Sequence, residues 1–331
     1  MELSPGELIP GVTPTVGTML NRLAPALVPP LFGSVALDRL HAVSKRLPPA
    51  RFLLFERHLG DEAGRVDLSI GHPAHLPAGL DLTAIPAAPG ALCLEYDLHG
   101  DMPAPALFYT VSPSPALADM ALVALATGLL GQVPAPMRDW LMGAAAAQVP
   151  DESWITHVGA MLGRDGRPIR INIGASAAAP LRRYAAAAGC RAGPLAALDR
   201  LLSIVDGLPL SLILALEFGI ALSPRIGVEL YMPPPEQAVA ALLHRLETHE
   251  LCSAAEAIAI LAWTDETDAD GPPWPEPLRS LDALLGPAEQ GRAMRSVAHL
   301  KLVAEPEGDV RAKAYLAAFY VRGDPRAVRQ A

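Results

Sequence analysis

Five stretches of the chain, 51–70, 92–111, 154–174, 210–232 and 296–320, carry the residue pattern of β-hairpins, and mainly helical sequence separates each from the next. Strand pairs alternating with helix pairs repeat an αββα unit. Ten consecutive antiparallel strands with helices between the hairpins can close into a barrel, which removes the exposed sheet edges. The period-two pattern says which side chains would line it. Val66, Leu68 and Ile70 alternate with Arg65, Asp67 and Ser69, and Ile169, Ile171 and Ile173 with Arg170 and Asn172. In the same way Val228, Leu230 and Met232 alternate with Glu229 and Tyr231, and Leu300 and Leu302 with His299 and Lys301. The aliphatic faces are expected against helices and the polar faces elsewhere. An open sheet with its polar face in water is the plainer arrangement. Against it, this polar face mixes Tyr, Arg, Lys, His, Glu and Asp with Gly and Ser, where a solvated face would run to Thr, Lys and Glu. The expected fold is therefore α+β, a ten-stranded antiparallel barrel of αββα units with the helices outside and the lumen as the place for chemistry.

A chain of 331 residues that is 51% hydrophobic and 18% charged fills a sizeable core. No segment has the composition of an interdomain linker, so residues 1–331 are expected to form one domain. Much of the apolar content is alanine, in runs such as Ala144 to Ala147 and Ala185 to Ala188, which suits helices packed closely on a sheet. A net charge of −9 and a pI near 5.5 argue against nucleic acid as a partner. An anionic ligand would need a local cationic site. Cys93, Cys190 and Cys252 are far apart, form no metal-ligand spacing and read as reduced thiols of a cytoplasmic protein. The start Met1-Glu2-Leu3-Ser4-Pro5 lacks the basic and apolar blocks of a signal peptide. The most apolar run, Leu208 to Leu222, includes Pro209 and Glu217 and is shorter than the roughly 20 residues that span a bilayer. No membrane span is expected.

Along the chain, 1–48 reads as a helical lead-in broken at Pro29-Pro30, with Ser34 as the N-cap of a helix through Lys45. The hairpin turns fall at Gly60 to Gly64, at His99-Gly100-Asp101, at Arg164-Asp165-Gly166, at Ser223-Pro224-Arg225 and at Glu305 to Gly308. Helices are expected near 116–130, 137–147, 178–188, 194–206, 235–248 and 253–262. Residues 72–90 hold at most a short helix, and the acidic, proline-rich segment 264–277 reads as a loop.

This architecture resembles the ABBA-type aromatic prenyltransferases. Arg51-Phe52-Leu53-Leu54-Phe55-Glu56 is similar to the first core strand of the cyanobactin peptide prenyltransferases of that fold. Val66-Asp67-Leu68-Ser69-Ile70 is similar to the second strand of small-molecule members, where an Asp and a Ser face the lumen. Lys313 matches a diphosphate-binding Lys of the last strand, and Tyr109 a Tyr of the fourth. The resemblance implies a barrel that holds a prenyl diphosphate and an aromatic small molecule or peptide side chain, joined by electrophilic substitution without magnesium or another cofactor. The chain departs from the pattern at Leu107, where small-molecule members carry a Lys, and at Asn172, where they carry a Tyr. Aromatic content is 5%, low for enzymes that guard a carbocation with rings.

The chemistry names its own candidates. Ionising an allylic diphosphate leaves an anion that needs fixed positive charge and a cation that needs aromatic faces and exclusion of water. Arg170, Lys301, Lys313 and Arg311 are candidates for the first task, and Tyr231, Tyr315 and Tyr109 for the second. Glu56 is the candidate base, because the resemblance implies a functional Glu at that point, with Asp67, Glu217 and Glu229 as rivals. Each has a plain explanation too: solvated lysines, a cross-strand ion pair at Glu56, half-buried strand tyrosines. A barrel that binds a hydrophobic ligand or peptide without catalysis is the competing expectation. Gly71, Gly174, Ala215 and Ala317, all small, suggest room for a longer chain or a bulky acceptor. Asp265, Asp268 and Asp270 do not complete a calcium loop, and His244 and His249 sit on different helix faces, so no metal is assigned.

Overall fold

The structure, a computed structural model, describes residues 13–61, 64–73, 92–98, 104–111, 119–175, 177–232, 237–266, 272–286 and 290–322. Ten antiparallel strands form a closed ring. They are β1 (Ala50–His58), β2 (Val66–Pro73), β3 (Leu92–Tyr96), β4 (Ala106–Thr110), β5 (Ser153–Met161), β6 (Ile169–Ala175), β7 (Ser211–Phe218), β8 (Ile226–Tyr231), β10 (Gly291–Ala304) and β11 (Val310–Arg322). A short β9 (Asp265–Glu266) adds to the outside of β10. Closure comes from β11, which pairs with β10 on one side and with β1 on the other. The first and last long strands of the chain are thus neighbours.

Helices α1 (Val16–Leu23) and α2 (Ser34–Ser44) precede the first hairpin, and α3 (Asp119–Leu130), α4 (Ala135–Ala146), α5 (Ala178–Ala187), α6 (Ala192–Ile204), α7 (Gln237–Thr248), α8 (Ala254–Leu261) and α9 (Glu276–Leu285) fall between later hairpins. The main core lies between them and the barrel wall. Leu53, Phe55, Leu68, Ile70, Ile171, Leu214, Val228, Leu300 and Leu316 point outward into it and meet Leu20, Leu40, Leu141, Leu198 and Leu242 from the helices. Small residues set the close spacing: Ala126, Ala144 and Ala185 are fully buried. The buried Tyr184 hydroxyl donates to Ala144 O at 2.7 Å, tying α5 to α4.

Some expectations need correction. Ser34 begins α2, but the cap position is Gly33 and no side chain caps the helix. The 264–277 segment is not one loop, since it contains β9 and the start of α9. Its residues 267–271, the second hairpin turn at 99–101, and most of 72–90 lie outside the described residues. No helix of the described residues is long and apolar enough to cross a membrane.

One helix end ties the outer layer to the barrel. Ser253 caps α8 in a reciprocal box with Glu256, accepting from Glu256 N at 3.2 Å while Glu256 accepts from Ser253 N at 3.1 Å. Glu256 also accepts from Arg57 of β1 at 2.9 Å in a buried pair. Replacing Ser253 by Ala removes the cap and is expected to cost about 1 kcal/mol, read as a lower urea midpoint at unchanged slope. An unchanged midpoint would mean that α8 is held by its apolar face alone.

Candidate functional site: the barrel lumen

Alternation on every strand turns one face inward, and three zones follow one another along the lumen. The first lies at the end where the β5–β6, β7–β8 and β10–β11 turns gather. Arg164, in the β5–β6 turn, donates to Glu217 at 3.0 Å and stands 3.6 Å from Asp97 and 3.8 Å from Glu95. Arg170 donates to the same Glu217 carboxylate at 2.8 Å, and Arg225 stands 3.3 Å from Glu305. Burial lowers the Arg170 guanidinium, but Glu217 and Glu95 more than reverse that and hold it above its ordinary value. Burial, with the neighbouring charge of Glu56, pushes the Glu95 carboxyl above its ordinary value. Five cationic side chains, Arg164, Arg170, Arg225, Lys301 and Lys313, and three carboxylates, Glu56, Glu95 and Glu217, line the cavity here together with Tyr315. The cavity is small, about 40 Å³, where pockets for drug-sized ligands run to roughly 300–1,000 Å³.

The second zone is a buried ionic network. Glu56 accepts from the Lys313 ammonium and from the Tyr315 hydroxyl, and His58 Nε2 stands 3.3 Å away. The same His58 nitrogen is 3.0 Å from Asp67, which also accepts from Leu98 N at 2.7 Å and from Arg65 at 2.9 Å. Burial pushes the Glu56 carboxyl up, yet Lys313 and His58 outweigh it and hold Glu56 well below the usual carboxylate range. Glu56, His58 and Asp67 present ligand atoms within 4.8 Å of one another. Both carboxylates are also bonded to other donors, Glu56 to Lys313 and Tyr315 and Asp67 to Arg65 and Leu98 N. Across the lumen, Glu229 accepts from Lys301 at 3.1 Å and from Asn172 Nδ2 at 3.2 Å, with Tyr231 OH at 3.4 Å. Burial raises Glu229, but the Lys301 ammonium brings it down to about 2. Lys301 lies across Gly227, where a Cβ would come within 2.9 Å of its Cε.

The third zone is aromatic and apolar. The His299 ring is sandwiched between Tyr315, at 4.1 Å between centroids, and Tyr231, at 4.6 Å. A bulge between Val297 and His299 resets the strand and turns His299 inward beside Lys301. Beyond this ladder, Met294, Ala317, Phe319 and Val321 form a second apolar cluster with the half-buried Phe52, Leu54 and Ala298. These residues share strand faces with Lys313, Tyr315 and Glu56, so the cluster lies inside the barrel.

Of the residues expected from sequence, Glu56, Asp67, Arg170, Lys301, Lys313, Tyr231 and Tyr315 all meet in the lumen. Two do not. Tyr109 packs against the outer core with the fully buried Leu107, because β4 turns Phe108 inward, where Arg170 lies over its ring at 5.7 Å. The Lys-to-Leu departure at Leu107 therefore falls on the outer face. Arg311 is exposed at the start of β11. The expected room beside Gly71 and Gly174 is filled, since Cβ atoms there would lie 2.5 Å from the Phe52 ring and 3.0 Å from Trp154. Sequence reading passed over Glu95, Arg164 and Arg225, which come from short strands and turns where alternation is weak, and His58 and His299. In comparisons with known proteins, no family model matches the chain, and no curated protein matches it.

Proposed function

We propose that the lumen binds an allylic diphosphate and transfers its prenyl group to an aromatic small molecule or a peptide side chain, without a metal. The observation that carries this reading is the five-to-three excess of cations over carboxylates lining the cavity of a chain whose net charge is −9. Glu229 behind Lys301 and Glu305 beside Arg225 balance those two extra charges at rest, so an anion would be held by cations that it takes from these partners. Burial, which raises the Glu95 carboxyl, makes it easier for that group to take up a proton when an anion binds beside it. A diphosphate would take Arg164 and Arg225 from their carboxylate partners; both side chains are partly exposed, at 27% and 41%. Lys301 and Lys313 lie deeper, next to Tyr315, whose face a developing allylic cation would meet. The acceptor enters from the apolar zone, and donor and acceptor meet at the tyrosine–histidine ladder. The small cavity disfavours a long prenyl chain.

Calorimetry with dimethylallyl, geranyl and farnesyl thiodiphosphates, chelator present throughout, tests this. Dimethylallyl thiodiphosphate is expected to bind in the micromolar range. Lys313→Ala and Arg225→Ala should each weaken it about 10- to 100-fold, the worth of a charge-assisted hydrogen bond. No binding, or binding unchanged in both variants, would sink the proposed site. The tight lumen and the full complement of donors around Glu56 favour the second reading, a barrel that binds a ligand without catalysis. Donor turnover separates the two.

A further inference from the structure

Prenyl transfer to an aromatic or hydroxyl acceptor ends with loss of a proton, and the lumen offers few atoms free to take it. Glu56 has one oxygen shared by Lys313 and His58 and the other bonded to Tyr315. Glu229 has Lys301 and Asn172 on one oxygen and Tyr231 by the other. Asp67 is engaged by His58, Arg65 and Leu98 N. His299 differs. It is 6% exposed, and its Nε2 is buried without a hydrogen-bond partner among the described residues. Asn172, 5% exposed, likewise has its Oδ1 unpartnered. Both unsatisfied atoms belong to side chains on inner strand faces, and a bound ligand would complete their bonding, since leaving such groups unpaired is costly.

We infer that His299 is the proton acceptor of the reaction and that Asn172 Oδ1 helps to hold the acceptor's N–H or O–H; this rests on the prenyl-transfer reading. The donor's C–O bond breaks with its electron pair leaving on the diphosphate. A pair from the acceptor forms the new bond to the allylic carbon. The acceptor's proton passes to His299 Nε2, and the imidazolium so formed faces Glu229 of β8 and Glu56 of β1. Lys301 on its own strand and His157 of β5 oppose that charge, while the Tyr231 and Tyr315 rings flank it. Burial draws the imidazole down to about 4, so it is neutral and able to accept a proton at neutral pH. It then needs to lose that proton again before the next turnover, which the same burial favours.

The test uses the full chain, with dimethylallyl thiodiphosphate as the binding probe and dimethylallyl diphosphate as the donor. Indole, a tyrosine-containing peptide and water serve as acceptors, and diphosphate release is followed. His299→Phe keeps a ring in the stack, and His299→Ala leaves a gap that free imidazole can fill. Both variants are expected to bind the thiodiphosphate within threefold of the parent and to release diphosphate about 100- to 10,000-fold more slowly. Added imidazole should restore part of the rate in His299→Ala and none in His299→Phe. Turnover within threefold of the parent in both variants overturns the role of His299 and leaves the donor site standing. A parent protein that binds the thiodiphosphate but releases no diphosphate above the uncatalysed rate overturns the reaction and the base together, leaving a binding barrel. Failure of the parent to bind it overturns the donor site as well.

Discussion

Replacing Glu229 by Ala is expected to lower the stability of the barrel by about 3–5 kcal/mol, the cost of leaving a buried charge without its partner. Lys301 is 6% exposed and its ammonium is already pulled below its ordinary range by burial, with Glu229 as the largest influence holding it charged. Its chain cannot turn to solvent easily, since it threads over Gly227 between β8 and β10. Loss of Glu229 also strands Asn172 Nδ2 and the Tyr231 hydroxyl. Glu229→Gln retains an acceptor and should lose less. The double variant Glu229→Ala with Lys301→Met removes both charges and should recover most of the loss, because an apolar pair of similar volume replaces a buried ion pair at little cost. Urea unfolding with a constant slope measures all three. A loss under 1 kcal/mol in the single Ala variant would mean that water reaches Lys301 and that the network is not the dry, fixed array described above. The same experiment bears on function, because ionic groups that do not stabilise a core are kept for another reason, and perturbed groups gather at functional sites.

The fold was legible because one signal repeated. Ile169-Arg170-Ile171-Asn172-Ile173 and Val228-Glu229-Leu230-Tyr231 each state which face is buried, and ten such strands leave few ways to arrange themselves. Inward residues on alternating strands were accordingly found: Asp67, Arg170, Lys301, Lys313, Tyr231 and Tyr315, while Glu56, on a strand apolar at both parities, came from the resemblance. Short strands gave less. The five residues of β4, Ala106-Leu107-Phe108-Tyr109-Thr110, are apolar at four positions, so neither parity stands out; Tyr109 was a lumen candidate on resemblance if its strand turned it inward, and the packing turned it out. Side chains from turns, such as Arg164 and Arg225, have no periodicity to reveal them. The filling of the lumen was hidden for a different reason. A glycine on an inner face reads as space, but in a sheet a neighbouring ring can lie across it, as Phe52 does over Gly71 and Trp154 over Gly174. Size depends on the rotamer of the neighbour, which alternation does not encode. His299 was visible on the polar face of its strand, but its lack of a hydrogen-bond partner is a property of three strands together.

Acidification from pH 6.5 to 4 is expected to cost the protein about 3 kcal/mol through His299 alone, at about 1.4 kcal/mol for each pH unit. Burial is the main cause, reinforced by Lys301 and His157 and opposed by Glu229 and Glu56, and it takes the imidazole from 6.5 to about 4. The unfolded chain therefore binds this proton as pH falls through 6.5, while the native protein does not until about 4. Between those values the unfolded state holds more protons, so stability falls as pH falls. His157 is shifted in the same direction by its burial and adds to the slope. Glu95, whose carboxyl is raised, contributes in the opposite sense above 4.5, because its native form takes up a proton first. Glu229 and Glu56, both lowered, withdraw stability only below 4.5. The difference between the parent and His299→Phe cancels these shared contributions. Urea midpoints at pH 7.5, 6.0 and 4.5 should show the parent losing about 2–3 kcal/mol relative to the variant across that range. Parallel losses would mean that His299 titrates as it does in water. The ring would then be far better solvated than its place between Tyr231 and Tyr315 implies.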